Sequence, residues 1–309
     1  MTKDGEKENP FLKKLKAICK NCTKESILVY FRNVKRLYKL IDDDGEIPAT
    51  GAWLSKKILF EKYEKLPLKT KRHLSVAAVK AVKALGQKSD KWEKNMYQDA
   101  LKYQSLRNKN QKSENEKALW PKKGYKSVKL AAAEQWKRIK HTIKNEPTLS
   151  GLYKYQLFII LKLFAEIPFR NTFATLELEK KENNNYISIP QKGKIKLIIR
   201  RYKNSKQLGE REVTLSRAAA MALRKFLKYR EQVVDHDHFL SSKNGGKLSR
   251  AALGKALHRV TKELSGKSYG SRLIRVLAAT DKKSEIEAVL ELSNKLLHTT
   301  KQTKQYTRK

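Results

Sequence analysis

The sequence is poor in several of the groups that most often define a protein's chemistry. Its 309 residues include two cysteines, three methionines, seven prolines and 31 acidic residues. Two cysteines cannot build a disulfide framework. They form a single Cys19-x-x-Cys22 among lysines. With no second Cys or His pair at ligand spacing, the stretch lacks the four donors of a structural zinc site, and both residues read as reduced thiols. No run of 18 apolar residues occurs, and Met1-Thr2-Lys3-Asp4-Gly5 is not followed by an apolar secretory segment, so the chain reads as intracellular with no membrane association. The acidic run Asp42-Asp43-Asp44-Gly45-Glu46 lacks the alternating ligand spacing and closing Glu of a calcium loop.

The shortage of acid is the most informative of these. Seventy Lys and Arg against 31 Asp and Glu leave 70 − 31 = +39 at neutral pH. That is more than solubility requires, and it points to a polyanionic partner. A packing protein without chemistry would satisfy composition alone, so the order of particular residues must decide.

Residues 1–22 are lysine-rich with little periodicity and read as a flexible basic arm. From Thr23 the pattern becomes helical. Ile27, Tyr30, Phe31, Val34, Tyr38 and Ile41 recur at three- and four-residue steps, and further helices are expected over about 51–66, from Thr70 to a cap at Gly86, and from Ser89 onward. Residues 23–105 therefore read as a four-helix domain. Residues 106–125 are polar and nearly patternless, which marks an interdomain linker.

Residues 126–309 read as a larger α+β domain. Helices are expected over about 127–144 and 150–165, the second apolar on most sides through Leu152, Leu157, Phe158, Ile159, Ile160, Leu161, Leu163 and Phe164. The period then shortens over 173–178, 186–189, 194–201 and 212–215, which predicts a small antiparallel sheet of about three strands. Helices return at about 216–233, 249–264 and 272–279, followed by an amphipathic helix carrying Ile286, Val289, Leu290 and Leu297. The fold class expected is mainly α with one small sheet.

Certain residues then fall in a telling order. Arg170 follows the buried helix in Pro168-Phe169-Arg170-Asn171-Thr172. Lys203 sits in the turn Tyr202-Lys203-Asn204-Ser205-Lys206. Arg272 and Arg275 open a helix, His298 follows the next one, and Tyr306 lies near the end of the sequence. This order resembles the tyrosine recombinase, or phage integrase, family. Within the resemblance, Pro168 to Thr172 matches the first arginine box and Leu273-Ile274-Arg275-Val276-Leu277-Ala278-Ala279-Thr280 the second. Lys203 falls at the hairpin lysine, with Lys206 as the alternative, His298 at the His/Trp position, and Tyr306 at the nucleophile. Phe239 to Ser249 resembles the strand and turn between the boxes, so His236 and His238 read as its lead-in rather than as metal ligands.

The resemblance implies a helical core-binding domain followed by a catalytic domain, double-stranded DNA as partner, self-association as a tetramer on DNA, and breakage and rejoining through a covalent 3′-phosphotyrosine with no cofactor and no metal. Two planar guanidiniums suit a phosphoryl transition state because each presents paired N–H donors to non-bridging oxygens. Alternatives of related chemistry or none are a type IB topoisomerase-like enzyme and a non-catalytic DNA-binding protein. The lysine- and asparagine-rich composition fits an AT-rich genome, such as that of a mobile element or virus.

Three departures from the family pattern stand out. The residue three before Arg275, commonly His there, is Arg272, and a guanidinium that stays protonated binds phosphate rather than acting as a base. His298 and Tyr306 are 306 − 298 = 8 residues apart, which on one helix at about 100° per residue would set them roughly 80° apart. A break between them is expected. Phe173 stands where an acid often follows the first arginine.

Overall fold

A computed structural model describes residues 9–48, 50–109, 111–144 and 146–295, so His298 and Tyr306 lie outside the described residues. The chain forms two compact units, Met1–Gln111 and Lys112–Lys309. Among the described residues it is predominantly helical with one four-stranded sheet. No described helix is long and apolar enough to cross a membrane.

Among its described residues the first unit has the four α-helices expected from residue 23 onward, α2 (Lys24–Tyr38), α3 (Lys57–Glu64), α4 (Leu68–Ala84) and α5 (Asp90–Asn108), preceded by a further one, α1 (Pro10–Ile18). The expectation of a patternless arm is corrected over its described part. Asn9 caps α1 by accepting from the amides of Phe11 and Leu12, Pro10 supplies the preset φ of a first helical turn, and Phe11, Leu15 and Cys19 at four-residue steps enter the core. Three lysines between these apolar positions mask the stripe in a reading by composition. The single helix expected over 51–66 is a 3₁₀ turn at Ala52–Ser55 followed by α3. The core gathers Val34, Leu37, Trp53, Leu59, Tyr63, Leu74 and Trp92, with the Trp92 indole donating to the Leu54 carbonyl at 2.9 Å.

The boundary between the units falls within the stretch read as linker, and the part of that stretch in the second unit carries α6 (Glu114–Leu119), closed by a reciprocal Ser113–Glu116 capping box. Lys267 donates to the Ala118 carbonyl at 2.7 Å, and Trp120 packs on the core. Then come α7 (Lys126–Ile139) and α8 (Leu149–Phe164), the buried helix expected from its apolar run. Strands β1 (Leu176–Glu177), β2 (Asn185–Ser188), β3 (Lys196–Ile199) and β4 (Arg211–Thr214) form the sheet, with the four-residue α9 (Ser205–Leu208) between β3 and β4. Helices α10 (Arg217–Glu231), α11 (Arg250–Ser265), α12 (Ser271–Asp281) and α13 (Lys283–Lys295) complete the unit.

The sheet is mixed, not purely antiparallel, because β1 pairs with β2 in parallel. The loop between them returns the chain to the starting end of β1, and Asn184 ties it there by donating to the Glu177 carboxylate and the Glu179 carbonyl. The strand expected from Phe173 begins only at Leu176. Residues Asn171–Thr175 are instead a 3₁₀ turn, held by Thr175 donating to the Thr172 carbonyl at 2.7 Å.

Candidate active site

Three of the residues singled out from the sequence converge. Arg170, Lys203 and Arg275 line one pocket of about 270 Å³ together with Pro168, Phe169, Thr172, Ile199, Tyr202, Asn204 and Arg211. No acidic side chain lines it. A pocket walled by four cations favours an anion over a cation by simple electrostatics.

Each cation arrives by a different local device. Arg170 leaves the buried helix α8 through Ile167-Pro168-Phe169, and the residues after it anchor the turn. Phe173 is fully buried, edge-on to Phe164 with ring centroids 4.8 Å apart and tilted against Phe169 at 5.5 Å. Asn171 donates to the Arg250 carbonyl at 2.9 Å, which pins the segment to the first turn of α11. Where the resembled family often uses an acid, this chain uses an aromatic anchor.

Lys203 lies in the β3–β4 connection, and that connection is fixed by Asn185. The buried Asn185 side chain accepts from the amides of Arg200 and Arg201 at 2.8 and 2.7 Å and donates to the Arg201 carbonyl and the Thr175 hydroxyl. Tyr202 then closes the loop by donating to the Gly209 carbonyl at 2.9 Å, with Gly209 at a left-handed φ of 65°. Lys206, the alternative to Lys203, does not line the pocket.

Arg275 is positioned by α12. Leu273, Ile274 and Leu277 bury one face of that helix, and the Arg275 Nε donates to the Ser271 carbonyl at 3.3 Å. The approach to α12 is tight. Thr261 accepts from the Tyr269 amide at 3.0 Å, and a side chain at Gly270 would meet His258 Nε2 at 2.7 Å. Burial first, and then the charges of Arg170 and Arg272, push the Arg275 guanidinium below its ordinary pKa. Arginine remains charged through such shifts, so the crowding amounts to a stored preference for an anion.

The structure does not bring Arg272 into the pocket lining. Its side chain is 76% exposed and pairs with Glu116 of α6 at 3.3 Å. His298 and Tyr306 lie outside the described residues. His236 and His238 sit in the hairpin that precedes α11. Buried Arg230 donates to the carbonyl of His238 at 2.6 Å and to that of His236, while His236 Nδ1 lies 2.8 Å from Arg230 and its Nε2 2.8 Å from the Gly245 carbonyl. Those partners set the ring with its proton on Nε2. Among the described residues no cluster of His, Cys, Asp and Glu is arranged to hold a metal.

Sequence reasoning missed Arg211 and Asn185. Arg211 lies in Glu210-Arg211-Glu212, which reads as alternating surface charge, and Asn185 in an asparagine run that reads as a turn. Only the pairing of β3 with β4 brings Arg211 to the pocket.

A mainly helical two-unit chain, with a small sheet whose last hairpin turn meets two arginine-bearing segments, has the fold of the tyrosine recombinases. Among solved structures, XerH site-specific recombinase bound to palindromic difH substrate, in a post-cleavage complex, aligns with a TM-score of 0.51 and 17% identity, covering 96% of this chain and 81% of that one. The pre-cleavage complex of XerH on difH aligns at 0.47 and 15%, covering 96% and 82%, and XerA recombinase at 0.37 and 13%, covering 98% and 94%. No family model and no curated protein matches the sequence.

Proposed function

We propose that the protein is a site-specific DNA recombinase or integrase that cleaves and rejoins duplex DNA through a covalent 3′-phosphotyrosine on Tyr306. The observation that carries this reading is the convergence of Arg170, Lys203 and Arg275, from three distant segments, on one pocket without acids. The Tyr306 phenol releases its proton to solvent as its oxygen attacks the phosphorus, the bond to the 5′-oxygen breaks, and that oxygen leaves with a proton donated by Lys203. Arg170 and Arg275 hold the two non-bridging oxygens as their charge grows. His298 hydrogen-bonds the same phosphate. Arg272 contributes positive charge beside the pocket. The phosphotyrosine conserves the energy of the broken bond, so rejoining reverses the step without a nucleotide cofactor, and pairing of two sites calls for self-association on DNA.

The test is a duplex nicked close to the cleavage point, so that the short product diffuses away and the covalent adduct accumulates. The wild-type chain is expected to form the adduct, and Tyr306→Phe to abolish it. Arg170→Ala and Arg275→Ala are each expected to slow adduct formation by about 10²- to 10³-fold while binding of the duplex persists. Binding with no adduct would favour a non-catalytic DNA-binding protein. Relaxation of supercoiled plasmid without recombinant product would favour a type IB topoisomerase-like enzyme.

A further inference from the structure

The pocket holds one cation more than the motif accounts for, and its placement follows from strand geometry. On β4 alternate side chains face opposite sides. Val213 packs on the core, while Glu212 faces the other way and pairs with Lys196 at 2.7 Å. Arg211 shares the face of Val213, and its cross-strand partner in register is Ile199, itself buried and lining the pocket. The Arg211 guanidinium therefore emerges at the point where the inner side of the sheet opens into the pocket.

The acids nearby are engaged by other bases. Glu210 pairs with Arg200 at 2.5 Å, Glu212 with Lys196, and Glu116 with Arg272. Among the described residues no carboxylate pairs with Arg211. It stands exposed beside Arg170, Lys203 and Arg275, and like charges gathered without a counter-ion favour a bound anion.

We propose that Arg211 is a third guanidinium that contacts the non-bridging oxygens of the bound phosphate, filling the role that Arg272, turned toward Glu116, does not fill. The assignment rests on the reading above only in taking that phosphate to be the scissile phosphodiester. Two guanidiniums satisfy one oxygen each with paired N–H groups, and a third from the sheet side holds the group against rotation while the phenol attacks. Arg211 is thus a catalytic residue that moves no proton.

Two measurements on the full chain decide it. In the first, inorganic phosphate is the probe: arginines are modified with phenylglyoxal and the rates are read residue by residue by mass spectrometry. Arg211 is expected to be protected together with Arg170 and Arg275 at one shared half-saturating concentration, and Arg272 and Arg217 to be unprotected. Modification of Arg211 at the same rate with and without phosphate overturns the assignment. In the second, Arg211→Ala is expected to slow adduct formation on the nicked duplex by about 100-fold and to leave duplex affinity within a few-fold. On a duplex whose scissile phosphate is an uncharged methylphosphonate, that difference is expected to shrink several-fold or more. Wild-type cleavage by Arg211→Ala likewise overturns it. If the wild-type chain forms no adduct at all, the recombinase reading fails, and the protection pattern alone decides whether Arg211 binds phosphate.

Discussion

Arg170 emerges at the end of a buried apolar helix, where an isolated guanidinium would be costly to desolvate. The chain places it at the mouth of a pocket instead and secures its backbone from behind, with the Phe173 ring in the core and the Asn171 amide on α11. Nothing in that support neutralises the charge, so the guanidinium stays available to a ligand. The two lysines of the β3–β4 connection are separated by the same kind of argument. Lys203 lines the pocket and Lys206, one short turn further on, does not. Lys203→Ala is therefore expected to slow cleavage by about 10²- to 10⁴-fold, the usual worth of general acid catalysis. Lys206→Ala should cleave as wild type. Replacing the 5′-oxygen by sulfur, which leaves without a proton, should restore Lys203→Ala and leave Arg275→Ala impaired. Failure of sulfur to rescue would remove Lys203 from the role of acid.

At the scale of elements, α1 and the β3–β4 connection show how a polar sequence hides structure. Helix α1 carries three lysines in nine residues, yet its Asn9 cap, its first-turn proline and its Phe11-Leu15-Cys19 stripe are all local signals of a docked helix. Leu15 is fully buried, so Leu15→Ala is expected to cost about 2–5 kcal/mol in the denaturant unfolding of the first unit. Lys14→Ala, on the exposed side, should lie within about 0.5 kcal/mol of wild type. An unchanged unfolding curve for Leu15→Ala would return the segment to the status of a tail. The connection after β3 works differently. It has no core of its own and takes its shape from Asn185, whose amide makes four hydrogen bonds to the strand ends around it. A buried amide so fully used is a structural choice that fixes where Lys203 sits.

For the whole molecule, the dominant physical fact is a charge of +39. On the proposed reading, surface lysines spread over both units would supply attraction to a phosphate backbone without sequence preference, and the pocket would add chemistry at one point. Duplex binding is therefore expected to fall steeply with salt. Six to ten phosphate contacts would lose about 10³- to 10⁵-fold in affinity between roughly 50 and 200 mM, because each neutralised phosphate releases condensed counter-ions. Anisotropy titrations across that range measure the slope. A slope near zero would contradict an electrostatic interface. Arg275→Ala, which removes one phosphate contact among many, should change the slope by about one, far less than its effect on cleavage.

Much of this protein is readable along the chain, because the signals concerned are local. Helix periodicity, the caps at Thr23, Thr148, Ser216 and Ser249 and the apolar run of α8 all lie within a few residues of where they act, and the order of Arg170, Lys203 and Arg275 is read directly along the chain. The resemblance to tyrosine recombinases rested on that order, and the fold agrees. What the sequence could not determine is what depends on distant partners. The parallel pairing of β1, the capture of α6 by Lys267, the turning of Arg272 toward Glu116 and the arrival of Arg211 beside Arg275 all join residues far apart in sequence. An arginine in a strand and an arginine in a helix look alike on paper. Only the pairing of β4 with β3 and the packing of α12 decide which guanidinium faces the pocket and which faces an acid.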